Sequence, residues 1–372
     1  MKVLVTGASG FIGKNLISHL RLQPDPCEIL PYTKETTESL ESLLDQADFV
    51  FHLAGVNRPQ DETEFKTGNT DLTEQIVTHL TSAGKKTPLL ISSTIHAVLD
   101  NPYGKSKLAA EKLVEQYAEG TGAPCFIARL PNVFGKWSRP NYNSAVATFC
   151  YNLTHSLPIT VNDPSAALNL IYIDDVARLF IDCLDEKITS DTLASAIEAK
   201  TLPTTVGTVA DTIKALVAMR ETLVVPDLSD KLTKYLYATL TSFYDEDDLS
   251  ADLVVNRDER GWLFEFAKSQ QFGQIFVSQT KPGYVRGEHW HHTKVERFCV
   301  IQGQGEIFFR EPGTDRIYSH KIAGDKVQVV DIPVGVVHAI ENTGQDDMLL
   351  VIWANEIFDK EAPDTYWEKV RG

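Results

Sequence analysis

The 372-residue chain is sparing in cysteine, short of cationic residues and without any long apolar run, and each deficit closes off a class of function. Its five cysteines (Cys27, Cys125, Cys150, Cys183, Cys299) are odd in number, scattered and never in a C-x-x-C pair. That spacing argues against a disulfide framework and fits a reducing compartment, with most of the thiols expected as small core residues. Lys and Arg number 35 against 51 Asp and Glu, and the net charge of −16 argues against nucleic acid or an anionic membrane surface as partner. A local basic pocket for an anionic small substrate remains compatible with that balance. No apolar stretch approaches the ~20 residues of a membrane span. The first residues, MKVLVTGASG, run from apolar side chains straight into a glycine turn. They read as a first strand rather than a signal peptide, and a cytoplasmic location is expected. Neither an internal repeat nor a low-complexity segment is present.

What is there suits two domains, one larger than the other. Strand and helix patterns alternate through the first half: Lys2–Thr6, a helix over Gly13–Leu22, Glu28–Tyr32, Asp48–Ala54, a helix around Thr73–Ala83, Leu89–Ser93 and Cys125–Leu130. This β-α-β alternation predicts a doubly wound α/β parallel sheet. After Pro158 the pattern loosens into a strand at Leu168–Ile173 and helices at Asp175–Leu184 and Val206–Met219. The acidic tract Asp245–Asp248 marks a solvated linker over 244–252, dividing a domain of residues 1–243 from one of residues 253–372. Beyond it, short β segments with glycine turns follow one another: Gln274–Thr280, Arg297–Gln302, Gly305–Arg310, Lys326–Asp331 and Met348–Trp353. They predict an all-β barrel or jelly roll.

Gly7, Gly10 and Gly13 form a G-x-x-G-x-x-G turn between the first strand and the first helix, with Phe11 and Ile12 at the helix start. Such a turn lets backbone approach a pyrophosphate, whose charge then sits at the helix N-terminus. The second strand runs into Pro31-Tyr32-Thr33-Lys34, with no carboxylate to grip a ribose 2′-hydroxyl. Thr33 and Lys34 suit a 2′-phosphate instead, which favours NADPH; a solvated surface lysine accounts for Lys34 equally well. Asn101-Pro102 reads as an N-cap followed by proline at the first helical position. Tyr103 and Lys107 then lie four apart on one helix face. A neighbouring ammonium is expected to lower the phenol pKa from about 10, which suits proton exchange with a carbonyl oxygen.

Following a strand that ends Ser92-Ser93-Thr94, this pair resembles the extended short-chain dehydrogenase/reductases, over roughly residues 1–240. The resemblance implies a Rossmann-type fold, Tyr103 as proton donor, Lys107 on the nicotinamide ribose, and Thr94 or Ser93 polarising the substrate carbonyl. His52-Leu53-Ala54-Gly55, Asn69, Arg129-Leu-Pro-Asn132-Val-Phe-Gly135 and Tyr172-Ile-Asp-Asp-Val176 are similar to that family too. They imply cofactor contacts at Leu53, Ala54, Gly55 and Asn69, and sugar-nucleotide contacts at Arg129 and Asn132. The segment between Thr94 and Tyr103 is shorter than is usual in the family.

The far end carries a second signature. Gly283, His289, His291, Glu296 and Gly303 are followed by Pro333, Gly335, His338 and Asn342. Residues two apart in a strand share a face, so His289 and His291 project together. Glu296 and His338 would complete a three- or four-ligand metal site. These segments resemble the two cupin motifs, whereas His292, His52, His96 and His320 read as structural or solvent-facing. Asp258-Glu-Arg-Gly261 with Glu265 is similar to the opening strand of keto-sugar epimerase cupins, in which zinc is the implied metal. His291, Lys294 and Tyr284 are candidates for a proton shuttle.

Both halves together resemble the bifunctional epimerase/reductases of capsular-polysaccharide synthesis. That resemblance implies a UDP-linked 4-keto-6-deoxy amino sugar, UDP-2-acetamido-2,6-dideoxy-L-4-hexulose, as substrate. The second domain would epimerise carbon 3 and the first would reduce the carbon-4 ketone with NADPH, toward UDP-N-acetyl-L-fucosamine. A homodimer is expected because pairing covers exposed β edges. Three alternatives stay open: a simple reductase whose cupin serves binding or dimerisation, an iron-containing cupin, and a nucleotide-sensing regulator.

Overall fold

The structure, a computed structural model, describes residues 1–59, 61 and 63–371. Five apolar segments, Lys2–Thr6 (β1), Glu28–Tyr32 (β2), Phe49–His52 (β3), Leu89–Thr94 (β4) and Cys125–Leu130 (β5), form one sheet in the order β2-β1-β3-β4-β5. Every neighbouring pair is parallel. The central strands are buried on both faces because helices cover both. Val50 and Leu4 pack with Leu40, Leu44, Ile76 and Val114 on one side. Phe51 stacks on Phe180 of the Ile173–Leu184 helix on the other, ring centroids 6.1 Å apart. Truncating Phe51 to alanine is expected to cost about 3–5 kcal/mol. The strand order reverses between β1 and β3, which opens a crevice at their C-terminal ends.

Local chemistry sets the element ends. The third strand stops at His52, short of the expected Ala54, because the N–H groups of Leu53 and Ala54 turn to donate to Thr6 Oγ1, each at 3.2 Å. Asn101 caps the Pro102–Thr121 helix by accepting from Gly104 N at 2.8 Å, and Gly122 ends it at φ +73°. Residues Lys66–Asp71 form a π-helical turn ahead of the Leu72–Ser82 helix. Helices at Leu40–Gln46, Ala145–Thr154, Ser190–Lys200 and Lys231–Thr241 lie outside the expected pattern. Asn132–Phe134 (β6), Ala167–Tyr172 (β7) and Leu202–Thr205 (β8) make a separate three-stranded sheet.

The later strands are Val255–Asp258 (β9), Gly261–Ser269 (β10), Gly273–Thr280 (β11), Val285–Trp290 (β12), Glu296–Gln302 (β13) and Gln304–Arg310 (β14). Ile317–Ala323 (β15), Val330–Ile332 (β16), Val337–Asn342 (β17), Met348–Ala354 (β18) and Tyr366–Trp367 (β19) complete them. They form two antiparallel sheets, β16-β13-β18-β11-β10-β9 and β15-β14-β17-β12-β19. Phe298, Val300, Ile307, Phe309, Ile340 and Leu350 fill the space between, the double-sheet arrangement of the expected jelly roll. The expected strand over Lys326–Asp331 is shorter and begins only at Val330, since Val327 and Val329 face solvent.

Contacts divide the chain into two compact units. One comprises Met1–Ile213 with Tyr235–Tyr244, the other Lys214–Lys234 with Asp245–Gly372. The expected boundary at residue 243 falls close to the last of these junctions, while Lys214–Lys234 groups with the later strands. Among the described residues no helix is long and apolar enough to cross a membrane, and all five cysteines are free.

Candidate functional site

The glycine turn requires its glycines. Gly7 has φ +68°, and a Cβ there would sit 2.7 Å from Ala54 N; one on Gly13 would sit 2.3 Å from Gly7 O. Gly10 is the N-cap of the Phe11–Arg21 helix and supplies no side chain to it, so the N-terminal end faces the crevice uncapped. Beside this turn lies a cavity of about 690 Å³ whose lining includes Ser9, Lys14, Arg21, Thr33 and Trp137. Thr33 lines this cavity. Lys34 is exposed and outside that lining, and the cations on the cavity wall are Lys14 and Arg21. They are three and ten residues beyond Phe11 on the first helix, a basic face that the glycine motif does not announce.

Beneath Leu53, Ala54 and Gly55 runs a polar chain. Thr6 Oγ1 and His52 Nδ1 are hydrogen-bonded at 2.8 Å, His52 Nε2 and Thr73 Oγ1 at 2.9 Å, and Thr73 donates to Asn69 O at 2.7 Å. Asn69 accepts from Val56 N and donates to Val56 O and Ser106 Oγ, at 2.8, 2.9 and 3.0 Å. The π-helical turn swings Asn69 inward to make these bonds. Gly55 has to be small, because a Cβ would lie 2.9 Å from Asn69 Oδ1. Burial pushes the His52 imidazole down to about 3, with the Lys107 charge adding to it, so the ring is neutral and structural.

Tyr103 and Lys107 occupy one face of the Pro102–Thr121 helix, against the end of β4. Lys107 is buried and its Nζ donates to Ser92 O at 2.7 Å; burial draws its pKa down to about 8 while the Glu111 carboxylate opposes that fall. Tyr103 lies near the Thr94 hydroxyl, and its ring centroid is 5.7 Å from that of Phe65. The expectation that Lys107 lowers the phenol pKa is corrected here. Burial raises it, and the only lowering contribution comes from Thr94. The structure also separates the two candidate hydroxyls: Thr94 reaches Tyr103, whereas Ser93 Oγ donates to buried Glu111.

Glu111 is the residue that sequence reasoning missed. Its carboxylate takes Ser93 and the guanidinium of Arg129, whose Nε lies 3.0 and 3.1 Å from the two oxygens. Arg129 is thereby committed to the protein. Asn132 is exposed on β6, donating to Asn169 O at 3.4 Å.

In the second unit a bulge in β12 between Gly287 and His289 re-aims the strand, and Glu288 adopts φ +64° within it. His289 then stands opposite His338 of β17, with His291 two residues on and Glu296 at the start of β13 in the other sheet. One donor atom from each of the four lies within 4.8 Å of the others. Glu296 Oε2 is 3.2 Å from His338 Nε2 and 3.5 Å from His291 Nε2. Burial opposes ionisation of Glu296, yet the neighbouring imidazoles of His291 and His338 hold its carboxyl well below the usual range. Burial together with His338 lowers His289 to about 4.

Two buried nitrogens, His289 Nδ1 and His291 Nε2, have no hydrogen-bond partner among the described residues. Orphaned imidazole nitrogens facing an ionised carboxylate fit a divalent cation, around which tetrahedral donors stand about 3.4 Å apart. All four expected ligands are thus brought together. His292 is exposed on the neighbouring loop and stacks edge-on with Trp290, outside the cluster.

Comparison with known proteins follows the same division. Residues 3–192 match the NAD dependent epimerase/dehydratase family, and residues 256–366 the polysaccharide biosynthesis C-terminal domain. The chain is 44% identical over 367 residues to the UDP-2-acetamido-2,6-beta-L-arabino-hexul-4-ose reductase of Pseudomonas aeruginosa, covering 98% of each. It superposes on the crystal structure of the capsular polysaccharide assembling protein CapF from Staphylococcus aureus with a TM-score of 0.90 and 42% identity, over 99% of this chain and 100% of that one. A CapF structure with the inhibitor 3-isopropenyl-tropolone gives 0.86 and 37%, with the same coverage.

Proposed function

The chain belongs to the NAD dependent epimerase/dehydratase family, and on that premise we propose that it is a bifunctional enzyme acting twice on one UDP-linked 4-keto-6-deoxy amino sugar. The second unit exchanges the proton on carbon 3, inverting that centre. The first unit then reduces the ketone at carbon 4. The observation that carries this reading is a metal-type donor set with two orphaned nitrogens in the same chain as a Thr94–Tyr103–Lys107 constellation.

Zinc held by His289, His291, Glu296 and His338 would supply a Lewis acid for the sugar ketone, acidifying the neighbouring C–H. NADPH would supply the hydride that arrives at carbon 4. Thr94 and Tyr103 then hold the ketone oxygen by hydrogen bonds, and Tyr103 delivers the proton that turns it into a hydroxyl. Lys107, on the same helix face and held by Ser92 O, would bind the nicotinamide ribose. Lys14, Arg21, Ser9 and Thr33, with no carboxylate in the cavity lining, favour a 2′-phosphate and hence NADPH over NADH. Epimerisation is reversible and needs the ketone; reduction removes it and draws the equilibrium forward.

Solvent deuterium incorporation at carbon 3 tests the pairing when measured without NADPH. Wild-type protein is expected to exchange that proton, and His338→Ala to abolish the exchange while NADPH oxidation continues on an already epimerised substrate. Exchange that persists in His338→Ala at the wild-type rate rejects the metal-dependent epimerase.

A further inference from the structure

The loop that carries His291 has few partners of its own. Between β12 and β13 the backbone leaves both sheets, so the N–H groups of residues 292–294 need acceptors from elsewhere. A single residue far along the chain supplies them. Asp364 Oδ1 accepts from His292 N at 2.9 Å, and Oδ2 accepts from Thr293 N, Lys294 N and Thr293 Oγ1 at 2.6, 2.8 and 2.9 Å. The backbone carbonyl of the same residue is hydrogen-bonded to His291 Nδ1. His291 O in turn accepts from Gly335 N at 2.8 Å, so ring and backbone are held from two directions.

The segment around Asp364 is itself tied down. Tyr366 and Trp367 pair with Trp290 and His289, Glu368 N donates to Glu288 O at 3.0 Å, and Val370 N donates to the Glu288 carboxylate at 2.6 Å. Arg310 donates to Glu368 Oε1 at 2.6 Å and to Val370 O at 3.1 Å.

We propose that Asp364 is the positioning residue of the metal site, fixing the orientation and tautomer of His291 so that Nε2 is left for the ion. The proposal rests on the metal reading above. Its chemistry is direct: an Nδ1–H that donates to a carbonyl leaves the Nε2 lone pair free, and that nitrogen is the buried one without a partner. The Asp364 carboxylate holds the carbonyl in place by anchoring both ends of the contact to the same loop.

The test is zinc affinity of the full-length chain, measured by competition with a chromophoric chelator, together with the visible spectrum of the cobalt-substituted protein. Loss of the anchoring residue is expected to weaken zinc binding by about 10- to 100-fold in Asp364→Ala and to alter the cobalt bands. Asp364→Asn, which keeps one acceptor oxygen, should fall between, and it carries the test alone should the alanine variant not fold. NADPH oxidation in the first unit, measured on an already epimerised substrate, should be unchanged in both variants. Wild-type zinc affinity in both variants overturns the positioning role, as does weaker binding with an unaltered cobalt spectrum and a matching loss of thermal stability in the metal-free protein. Wild-type chain that takes up no zinc at all overturns the metal reading and this proposal together.

Discussion

In the parallel-sheet unit Lys107, both nitrogens of His52 and the whole amide of Asn69 find hydrogen-bond partners within the protein. In the antiparallel unit His289 Nδ1 and His291 Nε2 find none. The contrast follows from what the proposed function has each site receive. A large cofactor is met by backbone, glycine and a helix end, and the side chains beneath can be satisfied internally while it is absent. A metal site consists of the donors themselves, and a buried donor without its partner costs about 1–3 kcal/mol. On that reading the second site, unlike the first, would be completed by its ligand.

Four measurements would break or sharpen that contrast. The largest effect is expected from Tyr103→Phe, which should slow NADPH-dependent reduction by about 10²- to 10⁴-fold and leave carbon-3 exchange untouched. Kinetics of the two half-reactions, run separately, check it. Metal removal comes next: free zinc at a hundred times its Kd should stabilise the second unit by about 2.7 kcal/mol over chelated protein, and calorimetry should find the first unit indifferent.

Acid should then act on the first unit through His52. His52 has a folded pKa of about 3, below the ordinary 6.5, so the unfolded chain binds the proton first. Its contribution is full above pH 6.5 and is lost as pH falls toward 3, at up to about 1.4 kcal/mol per pH unit. The urea midpoint of wild type should therefore drop more steeply from pH 6.5 to 4.5 than that of His52→Gln. The smallest effect is expected at the cofactor cavity. Lys14→Ala should raise the KM for NADPH several-fold and leave that for NADH unchanged; equal changes for both would remove the 2′-phosphate reading.

Much of this was legible in the chain because its signals are local. The glycine turn, the cap at Asn101, the four-residue step from Tyr103 to Lys107 and the two-residue step from His289 to His291 each declare themselves within one element. What stayed hidden depends on partners distant in sequence. Glu111 looks like any helix-surface glutamate until Arg129 and Ser93 fold against it, and Asp364 lies 73 residues from the histidine whose Nδ1 it meets. The direction of the Tyr103 shift was misjudged for the same reason, since burial is decided by tertiary packing and not by the neighbour four residues on. Strand β15 escaped notice because most of its residues are exposed, leaving no alternation of apolar and polar positions to detect.

The grouping of Lys214–Lys234 with the later strands has a consequence for how this protein can be divided. The chain passes from one unit to the other after Ile213, after Lys234 and after Tyr244. A fragment starting at residue 245 would leave Lys268 without the backbone bonds it makes to Leu223 O and from Val225 N, at 2.9 and 2.8 Å. One ending at residue 244 would keep that excursion with nothing to pack on. No single break in the chain yields both units whole, so the two sites are kept or lost as one piece.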